Sequence, residues 1–165
     1  MLSNPYKSWP LLAFLLSSGL LLGALAFEHI GGLAPCQMCY WQRHAHKAVI
    51  FISGLALIYQ YGLKKEQHIR TFNLLIGLAF LVSFGLAFWH TGVELKWWPG
   101  PKTCSAIQTG KVITGEDIFK ALDGKVKLPS CGDVPWSLFG LSMAAYNAIL
   151  SLGAAVLSFI FVRKG

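Results

Sequence analysis

The stretch Pro35-Cys36-Gln37-Met38-Cys39-Tyr40-Trp41-Gln42-Arg43 puts two thiols and a guanidinium within nine residues. A Cys-x-x-Cys pair can exchange disulfides, hold a metal or staple a turn, and its surroundings decide which. Near a helix start the two sulfurs share a face, where thiols have depressed pKa values and exchange readily. A disulfide between them closes a very small ring, and crosslink stabilisation grows with the loop closed, so a purely structural role is disfavoured. Arg43 follows Cys39 by one helical turn on the same face. There it could steady a thiolate or an anionic oxygen, or touch lipid phosphate.

The other two cysteines, Cys104 and Cys131, lie far apart in the chain. Four cysteines fit two disulfides or one four-thiolate metal site. A structural zinc site usually shows two close pairs, and there is no second Cys-x-x-Cys, so no metal is expected. A Cys104–Cys131 bridge would close a long polar loop, contributing roughly 3–4 kcal/mol on the chain-entropy estimate. It would serve either as a staple or as a second exchangeable pair on a loop able to meet another protein. His90 stands near the end of a long apolar run, as a polar cap or a proton handler. Trp89, Trp97, Trp98 and Trp136 read as an aromatic belt at a membrane surface.

The elements that must carry these groups follow from composition. Hydrophobic residues make up 55% of the chain and charged residues only 13%, with a mean hydropathy of +0.54. Soluble domains carry about 25% charged residues, so the expected solvent is a lipid bilayer. The net charge of +7 sits at the ends of apolar runs and does not point to nucleic acid. The single domain 1–165 is expected to be an all-α membrane protein, a four-transmembrane-helix bundle with spans at about 9–27, 40–63, 71–93 and 136–162. The first span resembles a signal sequence at Ala24-Leu25-Ala26, but its apolar run is too long for one and further spans follow, so an uncleaved helix is expected. Arg43 and Lys47 would snorkel from the second span to the interface.

One short outer loop holds Gly31, Gly32 and Pro35, and one long outer loop covers about 94–135. Within the long loop, Thr114-Gly115-Glu116-Asp117 resembles a capping box for a short helix through Leu122, with Ile118, Phe119 and Leu122 on its apolar side. Four spans place both termini and the 64–70 turn on one side. That side carries Lys7, Lys64, Lys65, Arg70, Arg163 and Lys164 against a single acid, Glu66. The positive-inside rule then makes the termini cytoplasmic and turns all four cysteines outward, which favours disulfides over reduced metal sites.

With these residues the chain resembles the disulfide bond formation protein B (DsbB) family over nearly its full length. The resemblance rests on Cys36-Gln37-Met38-Cys39 with Tyr40-Trp41-Gln42-Arg43, on Trp89-His90-Thr91 ending the third span, and on Cys104 after Pro99-Gly100-Pro101. It is completed by Cys131-Gly132-Asp133-Val134-Pro135-Trp136 leading into the fourth span. It implies a bacterial inner-membrane thiol oxidoreductase with periplasmic loops. Such an enzyme reoxidises a soluble DsbA-like partner and passes the electrons to ubiquinone or menaquinone. It also implies that the partner attacks a Cys104–Cys131 disulfide at Cys104, that Cys131 then attacks a Cys36–Cys39 disulfide, and that Cys39 lies next to the quinone. Arg43 would hold the quinone oxygen with help from His90. The family often has an acid just before the arginine; Gln42 here removes a charge beside Arg43. Two other readings remain: a paralogue serving a different thiol partner, and a non-catalytic membrane scaffold with structural disulfides.

Overall fold

The computed structural model describes residues 5–65, 67–101, 104, 115, 116, 119 and 130–164. Four long helices dominate it: α1 (Pro5–His29), α2 (Gln37–Leu57), α3 (Ile69–Glu94) and α4 (Met143–Lys164). α2 continues into a wider π turn over Ile58–Gly62. Three of the helices, α1, α3 and α4, are long and apolar enough to cross a membrane. α2 is as long as a span but carries Arg43, His44, His46 and Lys47 in its first half, which lowers its apolar character. The most extensive interface joins α3 to α4, and α2 packs against both α1 and α3.

The packing differs from that of a water-soluble bundle in the large apolar side chains it exposes and the hydroxyls it buries. Leu15, Leu22, Phe51, Val82 and Ile149 face outward, while Ser17, Ser53, Ser83, Ser151 and Ser158 are fully buried. Lipid offers no hydrophobic drive for helix association, so interfaces use small residues that let backbones approach and hydroxyls that bond across helices. At Gly77 a Cβ would lie 2.9 Å from the Ser158 Cβ, so α3 and α4 approach there as only glycine allows. Ser158 also accepts a hydrogen bond from the Trp9 indole of α1 at 2.8 Å. The apolar centre comprises Trp9, Ala13, Val49, Ile76, Phe80, Ala154 and Ala155, drawn from all four helices.

The connections position the cysteine ends of the helices. α1 closes with Gly31 bonding back to Ala26 and Gly32 at φ +66°, a value glycine adopts freely. The chain then reaches Cys36, the N-cap of α2. α3 ends with Lys96 in the left-handed region at φ 62°, and the Lys96 ammonium donates to the Gly132 carbonyl at 2.6 Å. This ties the start of the long loop to its end.

The helix of the fourth span, expected from about position 136, starts later. Ser137–Leu138 and Leu141–Ser142 pair as a two-residue antiparallel hairpin (β1 and β2), and helix starts only at Met143. Phe139 and Gly140, both at positive φ, make the two-residue turn that such hairpins require. In the short capping-box helix expected near 114–122, Gly115, Glu116 and Phe119 have helical backbone. Thr114, Asp117, Ile118 and Leu122 fall outside the described residues.

Candidate functional site

The four cysteines, distant in sequence, meet at one end of the bundle. Cys36, Met38, Val93 and Cys131 form a buried cluster, with Cys39, Trp41, Trp98 and Cys104 packed around it. Cys104 and Cys131 are joined as a disulfide with their Cα atoms 5.5 Å apart. Cys36 and Cys39 stand as free thiols with their sulfurs 2.9 Å apart.

The local fold explains the second pair. Cys36 caps α2 with extended backbone, and its sulfur accepts the Cys39 amide N–H at 3.3 Å. Both sulfurs therefore sit at the positive end of the helix dipole, which favours negative charge. The hydrogen bond to Cys39, and burial after it, hold the Cys36 thiol well above the ordinary thiol range. When the pair loses one proton, the charge accordingly settles on Cys39.

His90 reaches this site from α3 and is almost fully buried. Its Nε2 lies 3.5 Å from the Cys36 sulfur and 3.8 Å from a Glu94 carboxylate oxygen one turn on. The Ser142 hydroxyl donates to the other Glu94 oxygen, tying the hairpin to the site. Cys36, Cys39 and His90 bring three potential metal-ligating atoms within 4.8 Å of one another. Two sulfurs at hydrogen-bond distance and a histidine engaged on both nitrogens describe a thiol pair as well as they describe a ligand set.

Arg43 turns toward α1. It pairs with Glu28 and donates to the Ala24 carbonyl at 3.1 Å, and its guanidinium lies 5.4 Å from the Tyr40 ring. Its side chain is only 12% exposed, and its Nε is buried without an acceptor among the described residues. Sequence reasoning named Arg43 but not Glu28, because the partner lies on another helix across a glycine-containing loop.

Gln42, whose role the sequence left open, is 7% exposed. Its amide nitrogen lies 2.7 Å from His90 Nδ1, and its oxygen accepts from Asn147 of α4 at 2.7 Å. Asn147 and His46 were not singled out from the sequence. The available signal was their polarity within apolar helices, where such groups must find partners inside the bundle.

Comparison with known proteins agrees with this geometry. The family model described as "Disulfide bond formation protein DsbB" matches residues 6–161. A relative from Pasteurella multocida named "Disulfide bond formation protein B" is 35% identical, covering 99% of this chain and 89% of its own. Relatives with the same name from Xanthomonas euvesicatoria and Xylella fastidiosa are 25% and 24% identical, over 93% and 94% of this chain and 90% and 88% of theirs. No solved structure matches the chain. With its cysteines gathered at one end of an apolar helical bundle, the chain belongs to the DsbB family of disulfide bond formation proteins and is a membrane oxidoreductase of disulfide generation.

Proposed function

We propose that this protein reoxidises a DsbA-like periplasmic dithiol through two disulfides in series and delivers the electrons to a membrane quinone. The observation that carries the reading is the packing of Cys36, Cys39, Cys104 and Cys131 into one cluster, so that exchange between the pairs needs only a short movement. A partner thiolate attacks the Cys104 sulfur, forming a mixed disulfide and releasing Cys131 as thiolate. Cys131 attacks Cys36, the Cys36–Cys39 bond breaks, and Cys39 leaves as thiolate. The partner's second thiol frees Cys104, which attacks Cys131, restores the Cys104–Cys131 bond and releases Cys36. Only the Cys36–Cys39 pair is then reduced. When bound, a quinone would supply the two-electron sink for returning this pair to a disulfide, its reduction taking up two protons to match the two that the thiols lose.

For the quinone, the orphaned Arg43 Nε matters. A buried donor without a partner costs about 1–3 kcal/mol, and a quinone carbonyl oxygen would satisfy this one, which has none among the described residues. Arg43 would therefore hold the acceptor one turn from Cys39, while Glu28 keeps the guanidinium oriented. Arg43→Gln should raise the apparent quinone KM about tenfold, the size of one hydrogen bond to a charged group, with thiol exchange between the cysteine pairs unchanged. An unaltered KM would return Arg43 to a role in anchoring α1 and lipid.

The topology follows from charge: four spans with both termini in the cytoplasm and the cysteines in the periplasm. After reduction, Cys104 and Cys131 should react with a membrane-impermeant maleimide in intact spheroplasts. Protection of both until lysis would reverse this orientation. The catalytic test is a coupled assay with reduced partner, short-chain ubiquinone and the four single Cys→Ser variants. Full quinone reduction by Cys39→Ser would defeat the proposal.

A further inference from the structure

Behind the dithiol a string of buried polar groups runs between helices into the bundle, and each link can be given a direction. The Gln42 amide nitrogen faces two groups, the Met38 carbonyl at 3.4 Å and His90 Nδ1 at 2.7 Å. A carbonyl only accepts, so the Gln42 amide must present its N–H groups on this side, and His90 Nδ1 must be the unprotonated nitrogen. On the other side Gln42 Oε1 accepts from Asn147 Nδ2 at 2.7 Å. Asn147 Oδ1 in turn faces the Ser151 hydroxyl and His46 Nε2, each at 2.9 Å. The Ser17 hydroxyl lies 3.2 Å from His46 Nδ1 and supplies its donor there, leaving the His46 proton on Nε2.

Donation therefore runs one way: Ser17 to His46, His46 to Asn147, Asn147 to Gln42, Gln42 to His90. The ring's other nitrogen faces acceptors, the Cys36 sulfur and the Glu94 carboxylate. Reversing one link would set two donors or two acceptors against each other at the next, so the chain holds a single direction as a unit. Hydrogen bonds in such a chain polarise one another in a low-dielectric interior.

We propose that Gln42, Asn147 and His46 are positioning residues that lock His90 as the neutral Nε2–H tautomer, with its donor aimed at the Cys36 sulfur. The inference rests on the redox reading above. Each time Cys36 is released as a thiolate, the donor is already in place. Once Cys36 has taken up a proton it donates in turn to Cys39, 2.9 Å away, so that the whole chain ends at the sulfur that carries the charge. A carboxylate at position 42 would do the opposite. It can only accept, so it would draw the His90 proton to Nδ1 and either withdraw the donor from Cys36 or make the ring cationic.

The test is ring-nitrogen NMR of the full-length protein labelled with 15N-histidine, without quinone or partner, with His90 assigned by its loss in His90→Gln. In the wild type Nε2 should be protonated and Nδ1 bare. Gln42→Glu should move the proton to Nδ1, and Asn147→Asp, which replaces the donor to Gln42 with an acceptor, should also abolish the bare-Nδ1 signal. Turnover with a reduced DsbA-like partner and short-chain ubiquinone should fall about tenfold in kcat in Gln42→Glu, one charge-assisted hydrogen bond's worth, with the partner KM unchanged. A wild-type proton on Nδ1 overturns the proposal by itself, as does retention of the Nε2–H tautomer in both variants. Because the spectrum needs no turnover, a failed redox reading would show separately, as quinone reduction surviving Cys39→Ser.

Discussion

Cys39→Ser is expected to lower quinone reduction by roughly 10⁶-fold, the scale seen when a covalent nucleophile is removed, while leaving the Cys104–Cys131 disulfide able to exchange with partner thiols. The reason is the asymmetry of the Cys36–Cys39 pair. Cys36 caps the helix, accepts the Cys39 amide and keeps its proton, so Cys39 is the sulfur that carries negative charge. A serine hydroxyl at position 39 does not ionise at neutral pH and cannot form the disulfide. Cys36→Ser should be as inactive in turnover and should accumulate the same species. It removes the sulfur that Cys131 attacks, so the mixed disulfide between Cys104 and the partner should persist. In Cys39→Ser no Cys36–Cys39 disulfide exists for Cys131 to open, and the same arrest should follow. Non-reducing gels of both variants with reduced partner would show the adduct, and its loss in Cys104→Ser fixes the attacked sulfur. Quinone reduction at the wild-type rate in Cys39→Ser would overturn the order of transfer argued above.

The placement of these residues is largely legible in the sequence where it depends on local spacing. Cys36, Cys39 and Arg43 are related by helical turns, and three of the helices declared themselves as long uncharged runs. What stayed hidden depends on contacts across helices. Arg43 could be placed one turn from Cys39, but its pairing with Glu28 needed α1 and α2 to be set side by side. Gln42 looked like a missing charge, yet in the bundle it is the link between His90 of α3 and Asn147 of α4. The hairpin at 137–142 was masked because Leu138, Phe139 and Leu141 extend the apolar run that precedes α4. Its only local mark was Phe139-Gly140 between leucines. Apolar content reports burial in lipid and says little about whether a short segment is helix or strand.

Gly92→Ala is expected to destabilise the protein by about 2 kcal/mol and to slow transfer between the two cysteine pairs more than it slows reoxidation by quinone. Gly92 lies two residues beyond His90 on α3, and a Cβ there would overlap the Trp98 indole. Trp98 is the peg of the loop that leaves α3. Its Nε1 donates to the Trp89 carbonyl at 2.9 Å, its ring packs 5.8 Å from both Phe88 and Trp97, and it lines the cysteine cluster. Immediately after it the chain turns through Pro99, Gly100 and Pro101 to Cys104, whose amide bonds back to the Pro101 carbonyl at 2.9 Å. Alanine is the better helix former by about 1 kcal/mol, which opposes the loss, but an indole forced off its seat forfeits a hydrogen bond and its aromatic contacts. With Trp98 displaced, Cys104 and Cys131 no longer approach Cys36 over a fixed floor, whereas the Cys36–Cys39 pair and Arg43 keep their helix. Thermal unfolding in detergent gives the first number. Single-turnover reduction of Cys36–Cys39 by partner, compared with its reoxidation by short-chain ubiquinone, gives the second. A raised Tm with unchanged transfer would mean that the indole yields freely and that helix propensity alone governs the site, in which case the loop finds the dithiol without this contact.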